Sequence, residues 1–128
     1  MAVTIRDETL LGKQTRLMVL DVPATISLRD LIRLRVREEV ARYNAQPTDR
    51  FHGLVRPTGA EEDLNGYRIP PAQRIDWERQ ADAAVVAFGR NGFFVLVGDR
   101  QVENLEEQLC LDDASDVAFI RLVPLVGG

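Results

Sequence analysis

The sequence predicts an α+β domain, and three observations carry that reading. Two strand-like runs near the start, Val3-Thr4-Ile5-Arg6 and Arg16-Leu17-Met18-Val19-Leu20, flank a turn at Gly12-Lys13-Gln14. One long amphipathic helix follows from Ser27. Late in the chain come two apolar runs rich in β-branched residues, Phe93-Phe94-Val95-Leu96-Val97 and residues 117–123, whose residue types suit a pleated and mostly buried surface.

The first run alternates apolar and polar residues, as a half-buried strand does. The second returns as the other arm of a hairpin, and Asp21-Val22-Pro23 ends it because proline cannot extend a central ladder. Ser27 can cap the helix with its hydroxyl, and Asp30 sits three residues on, in a weak form of the capping box. Leu28, Leu31, Ile32, Val36, Val40 and Tyr43 recur at three- and four-residue steps and predict an apolar stripe. Arg29, Arg33, Arg35, Arg37 and Glu38 are expected largely on the solvent side, with Asn44 and Pro47 closing the helix.

Between about 44 and 92 the pattern breaks up. Pro57-Thr58-Gly59, Asn65-Gly66 and Pro70-Pro71 read as turns, and Leu54-Val55 could pair with Tyr67-Arg68-Ile69 as a small hairpin. A second helix is expected over roughly 75–88, with Ile75, Ala81, Val85 and Phe88 inward and Trp77 and Val86 on its flank; Gly89 or Gly92 would stop it. After the Phe93 strand, Gly98-Asp99-Arg100 turns the chain. Residues 101–116 are acidic and irregular, anchored by Val102, Leu105, Leu109 and Leu111.

The bulk numbers fit one soluble domain. At 128 residues, 45% hydrophobic and 28% charged with a net charge of −4, the chain can bury a core without metal or disulfides, and its mild acidity argues against nucleic acid as a partner. No apolar run is long enough for a membrane span and no signal peptide is seen, so a cytoplasmic location without membrane contact is expected. Cys110 stands alone and is read as a buried structural thiol, and His52 as a surface side chain. There is no Walker loop, HExxH or cysteine pair with metal spacing. No catalytic or metal-binding residues and no cofactor are therefore expected, and the chain is read as a non-enzyme.

The end of the chain is the most distinctive stretch: Leu122-Val123-Pro124-Leu125-Val126-Gly127-Gly128. Glycine adds no packing and is the costliest residue to order, so a Gly-Gly end makes sense where another protein must handle it. A frayed terminus is the competing reading.

A hairpin, one long helix and later strands that run into Gly-Gly resemble the β-grasp plan of ubiquitin-like modifiers. Residues 93–128 lie on the last part of ubiquitin without a gap. The ending, the Phe-Val-Leu-Val strand and the segments Asn65-Gly66-Tyr67-Arg68 and Arg74-Ile75-Asp76-Trp77-Glu78 are similar to the bacterial ubiquitin-like proteins of antiphage conjugation operons. The resemblance implies one ubiquitin-like β-grasp domain over residues 1–123, with an insertion at about 44–92 that contains a second helix. Residues 124–128 would be a flexible conjugation tail.

Two departures from ubiquitin stand out besides the insertion. Pro124-Leu125-Val126 replaces arginines in the tail, and Arg121 falls where ubiquitin points a residue into its core.

The resemblance further implies that Gly127 and Gly128 form the conjugation terminus. The Gly128 carboxylate would be adenylated with ATP by an E1-like enzyme and passed to target proteins. Val123, Pro124, Leu125 and Val126 would be read by that enzyme and by a JAB-type metallopeptidase. Leu96, Ile120 and Leu122 fall at ubiquitin's apolar recognition patch and are candidates to bind an E2-like protein or the peptidase, unless the insertion packs over them. Lys13, the sole lysine, is the candidate chain-linkage site, or reflects arginine-rich composition alone. A sulfur carrier bearing a C-terminal thiocarboxylate and a non-covalent β-grasp interaction module remain as alternatives.

Overall fold

The computed structural model describes residues 1–57, 60–63, 66–68 and 74–122, with the backbone alone at 61–63. It is a mixed α/β structure that divides into two compact units. Unit 1 comprises Met1–Leu31 and Phe88–Gly128, and unit 2 comprises Ile32–Ala87.

Unit 1 is built on a five-stranded mixed sheet. β1 (Ala2–Thr9) and β2 (Gln14–Asp21) form the expected hairpin. Its turn is closed by Thr9 N–H on Lys13 O at 2.9 Å and Gly12 N–H on Thr9 O at 3.0 Å, and Gly12 takes a φ of 83° that favours glycine. β7 (Phe93–Val97), β8 (Arg100–Val102) and β10 (Val117–Arg121) complete the sheet in the order β2-β1-β10-β7-β8. β1 and β10 are parallel, and every other neighbouring pair is antiparallel.

Register assigns the two faces, since side chains of cross-strand partners point the same way. Val3 pairs with Leu20, Ile5 with Met18 and Val117, and Phe119 with Val95. All of these are buried and form the inner face. Arg121 lies on this face too, opposite Phe93, and it is half-buried at the strand's end.

A two-stranded pair was not anticipated. β3 (Thr25–Ser27) pairs antiparallel with β9 (Gln108–Cys110), inside the stretch read as irregular. Leu109 takes the inward position at 2% exposure, so alternation turns its neighbours outward. Cys110 is therefore exposed, and the expectation of a buried thiol is corrected.

Helix α1 (Leu28–Ala45) begins where Ser27 predicts: its Oγ accepts the Asp30 N–H at 3.1 Å. All six residues of the expected stripe are buried. One charged residue departs from the solvent assignment. Arg35 is 0% exposed and pairs with Glu39, also buried, at 2.6 Å. Arg29, Arg33, Arg37 and Glu38 are exposed or half-exposed as expected.

Unit 2 holds a small sheet, β4 (Arg50–Phe51), β5 (Glu61–Asp63) and β6 (Gly66–Arg68), in the order β4-β6-β5. Tyr67 is thus in a strand, but its partners are Phe51 and Glu62 rather than Leu54-Val55. Tyr43, Phe51 and Tyr67 make an aromatic cluster, with centroids 5.5 Å apart for the edge-on Tyr43–Phe51 pair and 6.5 Å for Phe51–Tyr67. Helix α2 (Trp77–Gly89) starts two residues later than its apolar pattern suggests. Asp76 caps it, accepting the N–H groups of Glu78 and Arg79 at 3.0 and 3.4 Å. Ile75 and Ala81 are buried, Val85 and Phe88 half-buried, and Val86 exposed; Gln80 and Ala84 join the buried set. Trp77, half-buried, lies against the guanidinium groups of Arg33 and Arg37, 5.8 and 5.2 Å from its ring centroid.

Candidate functional site

The strongest candidate lies on the outer face of the sheet in unit 1. β10 is held between parallel β1 and antiparallel β7, so its alternating side chains are fixed on both sides. With Val117 and Phe119 inward, Ala118 and Ile120 point outward. Ala118 pairs with Leu96 and Ile120 with Phe94. Leu96 and Ile120 therefore share one face as neighbours on adjoining strands, both half-buried. Leu122, just past β10, is 41% exposed. Phe94 is a fourth apolar member that the sequence reading passed over. Its signal was present, because in a five-residue strand residues 94 and 96 must share a face.

The same face continues across β1 and β2. Arg6 lies beside Ala118 and opposite Leu17, and Thr4 lies opposite Val19. Leu17 and Val19 are exposed at 56% and 55%. Between the two apolar strips runs a charged row. Arg6 donates from Nε and Nη2 to Asp116, each at 2.9 Å, and from Nη1 to Glu8. The hydrogen bond to Asp116 holds the Arg6 guanidinium above its ordinary pKa, against a smaller opposing effect of burial, with the charges of Asp116 and Glu8 adding to it. This arrangement offers apolar contact area on either side of a hydrogen-bonded charged row. It has no nucleophile paired with a base.

Of the other sequence-marked residues, Lys13 is exposed in the hairpin turn, where its N–H also reaches Thr9 Oγ1 at 3.2 Å. His52 is exposed, as expected. Val123, Pro124, Leu125, Val126, Gly127 and Gly128 lie outside the described residues, as do Thr58, Gly59, Asn65, Ile69, Pro70 and Pro71. Among the described residues no group of His, Cys, Asp or Glu is placed to hold a metal ion, and no helix is long and apolar enough to cross a membrane. Compared with known proteins, the chain matches no family model, no curated protein and no solved structure.

Proposed function

We propose that this chain is a ubiquitin-like protein modifier with a β-grasp fold, whose Gly128 carboxylate is joined to target proteins in the manner of bacterial antiphage conjugation systems. One observation carries the reading. The first and last strands lie parallel in the middle of a sheet ordered β2-β1-β10-β7-β8, with a long helix following the first hairpin. That order supports the β-grasp reading, and in the sequence the last strand runs into Leu122-Val123-Pro124-Leu125-Val126-Gly127-Gly128.

The chemistry would belong to partner enzymes. A carboxylate is a poor electrophile, so an E1-like enzyme joins its oxygen to the α-phosphorus of ATP and releases pyrophosphate. A partner thiol or hydroxyl then attacks the carbonyl carbon and displaces AMP, and a target amine or hydroxyl finally displaces the partner. Gly127 and Gly128 contribute a slender backbone that a narrow channel can enclose. Phe94, Leu96, Ile120 and Leu122 contribute the face on which an E2-like protein or a JAB-type peptidase docks. The reaction needs a free Gly128 carboxylate, whether at the chain's own end or after cleavage.

The test is incubation with ATP and a cognate E1-like enzyme, following AMP release and intact mass, beside a Gly128-deleted control. An adenylate or covalent adduct that the deletion abolishes supports the modifier. A gain of about 16 Da at the C-terminus, the difference between oxygen and sulfur, would point instead to a sulfur carrier. No activation by an enzyme shown to be active on another substrate would leave a non-covalent interaction module.

A further inference from the structure

Unit 2 contains a backbone stretch held by side chains instead of by a ladder. Residues 52–57 follow β4 and belong to neither helix nor strand, yet Gly53, Leu54 and Pro57 are buried. Buried peptide groups need partners. The Leu54 N–H finds one in Glu39 Oε2 at 3.0 Å, and the Val55 carbonyl accepts from Gln80 Nε2 at 2.9 Å. Consecutive residues are thus gripped from two helices, by an acceptor on α1 and a donor on α2, both side chains buried.

Glu39 is the more demanding of the two grips. Its other oxygen, Oε1, takes the Arg35 Nε at 2.6 Å, and neither side chain of that pair is exposed beyond 1%. A buried ion pair gains little over apolar side chains of similar size, because both ions lose their water. Arg35 and Glu39 are therefore poorly explained as a source of stability. They are well explained as a means of presenting an ionised carboxylate to a backbone donor, which makes a stronger hydrogen bond than a neutral acceptor. Gly53 completes the fit, since a Cβ there would stand 2.1 Å from the Phe51 ring and 2.9 Å from Glu39 Oε2.

We propose that residues 52–57 form a strap that opens and closes as a unit, with Glu39, charged and oriented by Arg35, as its lock and Gln80 as a second catch. A segment outside the helix and strand ladders opens at lower free energy than a packed helix. Unit 2 then has a closed and an open state, and the ion pair selects the closed one. This inference is independent of the modifier reading.

Native-state amide exchange on the full chain tests it. In the unmodified protein the Leu54 amide is expected to exchange through an opening that leaves Val36 and Val40 of α1 protected. In the paired variant Arg35→Met/Glu39→Leu, which removes both charges, Leu54 should exchange about tenfold faster or more relative to Val40, the factor set by roughly one lost hydrogen bond. Gln80→Leu should move Leu54 in the same direction. The proposal is overturned if Leu54 in the unmodified protein exchanges only as slowly as Val40, or if its rate is unchanged in the paired variant. A paired variant that fails to fold also overturns it, because the ion pair would then carry the fold itself.

Discussion

Arg6 on β1 grips Asp116, just ahead of β10, with two guanidinium nitrogens each 2.9 Å from a carboxylate oxygen. The bidentate pair ties the entry of the last strand to its parallel neighbour. It is a partly exposed contact, with side chains 28% and 55% accessible, so solvent screens it. A double-mutant cycle with Arg6→Gln and Asp116→Asn, read by urea unfolding, should give a coupling of about 0.5 kcal/mol that shrinks in high salt. A coupling of several kcal/mol, insensitive to salt, would contradict this account.

Neighbouring residues of β10 should separate folding from recognition. Phe119 is fully buried and stacks on Phe93 with centroids 5.9 Å apart, so Phe119→Ala should cost about 3–5 kcal/mol in denaturant unfolding. Ile120 faces the other way and is half-buried, so Ile120→Ala should cost about 1 kcal/mol or less. If the outer face docks a partner, Ile120→Ala and Leu96→Ala will weaken that binding while their melting temperatures stay close to that of the parent. Equal losses of stability at 119 and 120 would show that the strand's two faces are not distinguished in this way.

The start of α1 offers a local test. Ser27 Oγ accepts the Asp30 N–H at 3.1 Å, satisfying one of the unpaired donors of the first turn. Ser27→Ala should destabilise by about 1 kcal/mol, and Ser27→Asp should recover most of it because an anion suits the helix N-terminus. Thermal unfolding of the three proteins decides the matter, and an unchanged melting temperature in Ser27→Ala would remove the cap from the account.

How much of this was legible in the sequence depends on the length of the signal. The hairpin, α1 and the two late strands carry five or more patterned residues each, and all are present. The strands of three residues or fewer left no period to read. β9 shows this, since a single inward Leu109 between Gln108 and Cys110 looks like an isolated anchor. Arg35 was misplaced for a different reason. Its spacing, four residues after Leu31, puts it on the stripe, but its charge argues for solvent until Glu39, one turn on, is seen to make burial of a guanidinium tolerable. The outer face was found in part, because Leu96 and Ile120 came from likeness to ubiquitin, whereas Phe94 needed only alternation along β7. The Gly-Gly end is a statement about sequence alone, since residues 123–128 lie outside the described structure.

The acidic segment between β8 and β9 should leave a pH signature of known sign. Arg100 donates from Nη2 to Glu107 Oε2 at 2.5 Å and from Nη1 to Oε1 at 3.1 Å. The hydrogen bond, with a smaller electrostatic contribution from the same guanidinium, holds the Glu107 carboxyl below the ordinary glutamate value of 4.5. A carboxylate whose pKa is lower folded than unfolded stabilises the fold above its unfolded value, and that contribution is lost as the pH falls through the lowered folded value. Glu107 should therefore titrate below 4.5 when followed by carboxyl-carbon NMR, and stability should fall over the same window as the pH is lowered. Arg100→Gln should return the Glu107 midpoint towards 4.5 and flatten that part of the stability profile. Because the pair is exposed, moderate salt should shrink the shift in the parent and leave the variant unchanged. A Glu107 midpoint that stays low in Arg100→Gln would assign the shift to another cause and overturn this account.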